Sequence, residues 1–270
     1  MNRVFITGAS SGLGAAMARA YAAQGATLGL VARRRAQLEA LVASLPNPQL
    51  HHIYALDVTD HAALAAAAND FMAKAGGADI VIASAGISHG TLTEMAEDLP
   101  VFDAIFATNV TATVATFAPF IGPMKAATGP RRLVGIGSVA GIRGLPGAGA
   151  YCASKAAVLS YCEALRIELA PAGIDVVTIA PGYIDTPMTE HNPYRMPFLM
   201  PPERFAARAV ATITAGASYR VIPWQMGVVA KLMRALPNPV YDAVFARVRA
   251  KRKPRLAASP APAVAPEAAP

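Results

Sequence analysis

The sequence predicts one α/β domain built on a doubly wound parallel β-sheet with helices on both faces. Short apolar or β-branched runs recur at 3–7, 27–32, 51–56, 79–83, 132–137, 174–180 and 219–222, separated by longer Ala-rich helical segments. The first run passes through a turn with three glycines directly into a helix, the βα entry of such sheets. A chain of 270 residues, of which 54 % are hydrophobic, is long enough to bury a core against both faces of one sheet.

Taken in order, Arg3 to Ile6 is the opening strand, and Thr7-Gly8-Ala9-Ser10-Ser11-Gly12-Leu13-Gly14 is the turn before the helix of Ala15 to Ala23. Glycines there let backbone approach a pyrophosphate, and the helix start offers N–H groups and a positive dipole end. The second strand ends in Ala32-Arg33-Arg34-Arg35, with no carboxylate at its tip. Between Asp103 and Lys125 no residue is charged, a length that could cross a membrane. Thr108, Asn109, Thr111, Thr113, Thr116 and Pro119 make it too polar and broken, so a helix buried at an oligomer interface is expected.

The run Leu133 to Gly137 delivers Ser138 to the carboxyl end of a strand, where open α/β sheets hold ligands. Tyr151 and Lys155 stand one helical turn apart, so the ammonium lies beside the phenol. A phenol titrates near ~10, and a fixed cation favours the phenolate, which predicts a lowered pKa and a usable acid/base group.

On these motifs the chain resembles the short-chain dehydrogenase/reductase family over residues 3–222, which implies a Rossmann-type fold. Thr7 to Gly14 matches the family's cofactor loop, so Gly8, Ser10, Ser11, Gly12, Leu13 and Gly14 are expected to bind the dinucleotide. By the same resemblance Asp57 and Val58 lie near the adenine, and Ala85 and Gly86 follow the fourth strand. Pro181, Gly182, Ile184 and Thr186 hold the nicotinamide end, together with Tyr151 and Lys155. Asn109, Ser138, Tyr151 and Lys155 match the catalytic set, with Asn109 expected to hold a water beside Lys155. The chain departs from the family at Ala83-Ser84-Ala85-Gly86, where Asn-Asn-Ala-Gly is usual. The implied activity interconverts a carbonyl and a secondary alcohol by hydride transfer. An epimerase or dehydratase of the extended branch is disfavoured by the glycine spacing. A non-catalytic NAD(P)-binding sensor is disfavoured because Ser138, Tyr151 and Lys155 are all present.

Arg33 and Arg34 at the second strand's tip suit the 2′-phosphate of NADP(H), which is expected over NAD(H), whereas Arg35 begins a solvated helix. Substrate contacts are expected between Thr186 and Pro202, where Met188, Tyr194, Met196, Phe198, Leu199 and Met200 suggest either an apolar pocket wall or packing beneath a lid that the resemblance implies. Gly141 to Gly149, with Leu145, is expected to form the opposing wall.

Five histidines show no metal-ligand spacing, and Cys152 and Cys162 fall on one helix as reduced packing residues, so no metal site and a cytoplasmic setting are expected. No secretory signal is expected, because the N-terminus reads directly as a strand with no basic n-region or cleavage site. Residues 1–219 carry 15 Lys+Arg and 15 Asp+Glu, whereas 220–270 carry 9 and 2, so the net +7 lies at one end. That end divides into an amphipathic helical extension, 223–253, after the catalytic unit 1–222, and an Ala/Pro-rich tail, 254–270, expected to be disordered. Expected partners are a small apolar carbonyl or alcohol and further copies of the chain as a homodimer or homotetramer, with no nucleic acid. The basic helices add a peripheral contact with the inner face of the membrane as one expectation, packing on the core or on another subunit as the other.

Overall fold

The computed structural model describes residues 2–190 and 195–245. Seven strands, β1 (Arg3–Thr7), β2 (Thr27–Ala32), β3 (His51–Ala55), β4 (Ile80–Ala83), β5 (Arg132–Ile136), β6 (Asp175–Pro181) and β7 (Tyr219–Ile222), form one sheet in the order β3-β2-β1-β4-β5-β6-β7. Every pairing is parallel. The chain winds outward from β1 to β3, then returns to add β4 on β1's other side, so the order reverses between β1 and β4. A reversal of this kind opens a crevice at the strands' carboxyl ends.

Parallel strands need covering on both faces, and their side chains alternate to supply two cores. Val4, Ile6, Leu28, Leu30 and Ile82 point to one layer, where Met17 and Tyr21 of α1 (Gly12–Ala22), α2 (Arg35–Ala43) and Phe205 of α7 (Pro202–Thr214) pack on them. Phe5, Val31, Val81 and Leu133 point to the other layer, against Phe71 of α3 (His61–Ala75), Phe117 and Phe120 of α5 (Ala112–Ala126), and Val158 of α6 (Gly149–Leu169).

The uncharged stretch forms α4 (Leu99–Phe106), a π-helical turn at Ala107–Thr111, and α5. Length and apolarity alone would let it cross a membrane, with mean hydropathy 1.5 over its best window. Its inner face is instead buried within the same chain, Phe120 lying 5.0 Å from Phe5 between ring centroids, while Leu99, Phe102 and Val114 face outward. Beyond β7 the chain forms α8 (Trp224–Ala235) and α9 (Asn238–Phe245). The expected tail 254–270 and the basic run from Arg247 to Lys253 lie outside the described residues, as do Pro193 and Tyr194.

Candidate active site

A cleft of about 580 Å³ runs along the carboxyl ends of the strands. Its floor at one end is the glycine turn between β1 and α1. Gly8 has φ +71°, and a Cβ there would stand 2.8 Å from the backbone of Ser84 and Ala85. A Cβ on Gly14 would stand 2.3 Å from the Gly8 carbonyl oxygen. Only glycines let this turn close so tightly on itself and on the next strand. Thr7 Oγ1 braces the junction, accepting the N–H groups of Ser84 and Ala85 at 3.2 and 3.3 Å, on the segment where the chain departs from the usual Asn. Helix α1 begins at Gly12 without a side-chain cap, so its first N–H groups are directed to the cleft end with the positive end of the helix dipole.

Arg34 reaches back to this turn, donating to Ser10 Oγ at 3.0 Å and Ser11 Oγ at 2.9 Å. Arg33 faces Asp57 at 3.7 Å. Asp57 Oδ1 also accepts the Thr59 N–H at 3.0 Å and hydroxyl at 2.8 Å, which fixes the turn after β3. This end therefore offers uncapped amides and two guanidinium groups in a glycine cradle, a donor set that fits an anionic dinucleotide.

At the other end, Ser138 follows β5 and caps one 3₁₀ turn, its Oγ accepting the Ala140 N–H at 3.1 Å. Tyr151 and Lys155 occupy the first turns of α6, and all three residues line the cleft. Lys155 is 6 % exposed, and its Nζ donates to the Ile136 carbonyl oxygen at 2.8 Å. Burial pulls its pKa down to about 8. The Tyr151 hydroxyl behaves differently from the sequence expectation. Burial pushes its pKa above the ordinary 10, and the Ser138 hydroxyl acts against that rise without overcoming it. Lys155 Nζ is 5.9 Å from the Tyr151 ring centroid, and burial is the dominant influence on the hydroxyl.

Asn109 is the one catalytic candidate behind the cleft rather than on it. Its Oδ1 accepts the Ile87 N–H at 2.8 Å, and its Nδ2 donates to the Ile87 carbonyl at 3.0 Å and Ser154 Oγ at 3.0 Å. The π-helical turn aims the amide inward, where it ties the Gly86–Ile87 loop to α6. Its polar groups thus brace the interrupted helix, a role compatible with the one expected beside Lys155.

Every expected cofactor residue lines the cleft: Gly8, Ser10, Ser11, Gly12, Leu13, Gly14, Arg33, Arg34, Asp57, Val58, Ala85, Gly86, Tyr151, Lys155, Pro181, Gly182, Ile184 and Thr186. Leu56, Thr59, Ile87, Ala104 and Thr108 also line it and were not foreseen, although the Asp57-x-Thr59 pattern is an Asx-turn signal. Met188 contributes to the wall, whereas Phe198 and Leu199 are exposed elsewhere, and Met200 is buried, pairing with Ile184. Residues 141–149, expected as the opposing wall, are not among the residues lining this cleft. Burial pushes the Cys162 thiol up to about 11, so it stays a neutral packing group. Among the described residues no three His, Cys, Asp or Glu side chains converge as a metal site.

The model of the family described as short chain dehydrogenase matches residues 2–195. The chain belongs to the short-chain dehydrogenase family. An uncharacterised oxidoreductase of Myxococcus xanthus is 36 % identical over 246 residues, 90 % of this chain and 96 % of the relative. A 2-dehydro-3-deoxy-L-rhamnonate dehydrogenase (NAD(+)) of Sphingomonas is 36 % identical over 70 % of this chain and 74 % of its own. Among solved structures, a 3-ketoacyl-(acyl-carrier-protein) reductase of Brucella melitensis complexed with NADH is 29 % identical, with TM-score 0.73 over 82 % of this chain and 94 % of that one. Levodione reductase is 26 % identical, with TM-score 0.75 over 84 % and 98 %. This short-chain dehydrogenase is therefore an oxidoreductase of the CH–OH/C=O couple that uses NAD(P)(H) and a small-molecule substrate.

Proposed function

We propose that this short-chain dehydrogenase is an NADP(H)-dependent reductase of an apolar carbonyl compound, or the dehydrogenase of the matching secondary alcohol, with Tyr151 as acid/base. The observation that carries the reading is the gathering of Ser138, Tyr151 and Lys155 on one cleft wall, in line with an uncapped glycine-rich helix start. The bound dinucleotide supplies or accepts the hydride. The chain's own residues hold the substrate oxygen and move one proton. Ser138 Oγ and Tyr151 Oη are the hydroxyls available to that oxygen, and Tyr151 O–H is the proton given up as the alkoxide forms. Lys155, with a pKa of about 8, is mostly charged at neutral pH, so its cation stabilises the phenolate left behind. Tyr151 held above its ordinary pKa keeps its proton until then, the state a carbonyl reductase needs at rest.

Two similar proteins carry NAD(+) or NADH in their names. The phosphorylated cofactor is preferred here because Arg34 is held at the glycine turn by Ser10 and Ser11, and Arg33 stands beside it without an acidic residue at the tip of β2. Ile87, Ile184, Pro187 and Met188 on the cleft wall favour an apolar substrate. Tyr151→Phe tests the assignment. We expect NADPH affinity to persist and turnover of a ketone panel to fall at least ~100-fold, the scale of a positioned acid/base group. Retained activity would remove Tyr151 from its role, and wild-type protein that binds NADPH yet reduces no ketone would favour the sensor reading.

The same proposal places the enzyme in the cytoplasm as a homodimer or homotetramer, with a peripheral contact at the inner membrane face. Trp224, Val228 and Leu232 follow one another at four-residue steps on α8, exposed by 64, 47 and 64 %, opposite the buried Met226 and Ala230. Lys231 and Arg234 flank that stripe, within the end that carries the net charge of +7. An apolar stripe edged with cations suits the headgroup region of an anionic bilayer. The full chain should co-sediment with anionic vesicles at low salt and not with neutral ones. Protein left in the supernatant with both would leave the stripe to a second subunit.

A further inference from the structure

Ser138 and Tyr151 are joined by residues 139–150, a segment that supplies nothing to the cleft wall and is gripped from outside it. Val139 packs with Met226 of α8 and with Ala180 and Val221. Gly141 approaches α6 so closely that a Cβ would lie 2.7 Å from the Lys155 carbonyl carbon. Leu145 donates its N–H to Cys152 Sγ at 3.4 Å. The remaining grip belongs to Arg143. Its guanidinium donates to the carbonyl oxygens of Met233 and Leu236, the latter at 2.7 Å, and to Asn238 Oδ1 at 3.0 Å. The same guanidinium lies 3.8 Å from the Tyr241 ring centroid, and the Tyr241 hydroxyl donates to the Gly144 carbonyl at 2.5 Å.

The last carbonyls of a helix have no partners within it, and a cation there meets both the unpaired oxygens and the negative end of the dipole. Arg143 therefore caps α8 and stacks on α9 at once, with a planar fork that an ammonium group cannot reproduce. The segment it belongs to is wedged between α6, which carries Tyr151 and Lys155, and α8. Its first turn sets the Ser138 side chain through the Ala140 N–H. A small shift of this segment moves Ser138 relative to Tyr151. It leaves the glycine turn and the Arg33–Arg34 end, on the far side of the sheet's reversal, where they are.

We infer that Arg143 is a positioning residue: it fastens α8 and α9 onto the segment between Ser138 and Tyr151, so that the C-terminal helices set the spacing of the two hydroxyls that hold the substrate oxygen without entering the cleft. The inference rests on the reading of Ser138 and Tyr151 as that pair. The experiment compares the full chain with Arg143→Ala, Arg143→Lys, Tyr241→Ala and the Arg143→Ala/Tyr241→Ala double variant. Ketone kinetics, NADPH affinity and backbone amide exchange are measured for each. Arg143→Ala should lower kcat/KM by roughly 10- to 100-fold, the scale of a displaced reacting group, with NADPH affinity unchanged within about twofold. Arg143→Lys should recover part of the loss, and the double variant should be no worse than the poorer single variant, because both act through one clamp. Amides of 139–148 and 238–245 should exchange faster in Arg143→Ala, and those of 8–14 should not. Unchanged exchange at 139–148 overturns the clamp whether or not any ketone is turned over, so its failure is distinct from failure of the proposed reaction. Additive losses, or a parallel fall in NADPH affinity, overturn the positioning role.

Discussion

Lys155→Met in the cofactor-free protein should make it more stable at neutral pH while abolishing turnover. Lys155 is buried with one hydrogen bond, to Ile136, and its pKa falls from 10.5 to about 8. At roughly 1.4 kcal/mol for each pH unit, holding that cation in the wall costs about 3 kcal/mol below pH 8. Loss of the Ile136 hydrogen bond takes back about 1 kcal/mol. The net gain of about 2 kcal/mol corresponds to a melting temperature about 4–8 °C higher in a chain of this size. The dependence on pH has a definite sign. Below pH 8 the lysine is protonated folded and unfolded, so the full cost is present. From about 8 to 10.5 the folded protein releases the proton and the unfolded chain keeps it, so wild-type stability rises with pH relative to the variant. Tyr151, raised above 10, and Cys162, near 11, stay neutral over most of that window. Thermal unfolding followed by circular dichroism from about pH 7 to about pH 9.5 should show a gap that narrows as pH rises. A variant less stable than wild type at pH 7, or a gap independent of pH, would refute the view that the buried cation is a stability cost retained for function.

Arg33→Ala/Arg34→Ala should narrow the preference for NADPH over NADH by roughly tenfold or more, since a charge-assisted hydrogen bond is worth about 1.5–3 kcal/mol. An unchanged affinity ratio by fluorescence titration would assign both arginines to the solvated face. Gly14→Ala should destabilise the apo protein by about 1–3 kcal/mol and weaken NADPH binding, because its Cβ would meet the Gly8 carbonyl at 2.3 Å and Gly8 is itself pressed against Ala85. A variant that melts and titrates as wild type would show that the turn yields freely.

The strands were legible because each is a short apolar run that ends at a turn-forming or polar residue, such as Gly8 after β1, Arg33 after β2 and Pro223 after β7, and β2 and β7 fall on the residues read from the sequence. The cofactor end was legible for a related reason: phosphate-binding turns depend on glycine spacing, which is a local pattern. What could not be read depends on contacts between distant segments. The upward pKa of Tyr151 comes from the wall that buries it, and no spacing to Lys155 encodes that wall. The tie of Asn109 to Ile87 and Ser154 was not legible either, because nothing local shows which groups take its amide. The grip on the segment 141–149 was hidden as well, because Arg143 is held by carbonyls some ninety residues away in sequence.

These differences divide the site in two. The dinucleotide end is built by the sheet itself: β1, β2 and β4 supply the glycine turn, the arginines and the Ala85–Gly86 edge within a few residues of their last hydrogen-bonded pair. The catalytic end depends on long-range packing, because Ser138 hangs on a segment held by α8 and α9 while Tyr151 and Lys155 ride on α6. Under the proposed reaction, substitutions at the Arg143 contacts in α8 and α9 can therefore alter how the carbonyl is held while leaving the glycine turn and the arginines intact, whereas Met226 of α8 lies against Gly182 of the cofactor end. The converse separation is weaker. Lys155 and Gly86 face each other across the junction of the two ends, with Asn109 Oδ1 behind them, and a Cβ on Gly86 would lie 3.6 Å from Lys155 Nζ and 3.2 Å from that oxygen. Under the proposed reaction Lys155 is thus the group that links the dinucleotide end to the proton on Tyr151. In that reading its buried charge serves the reaction at a cost to the fold.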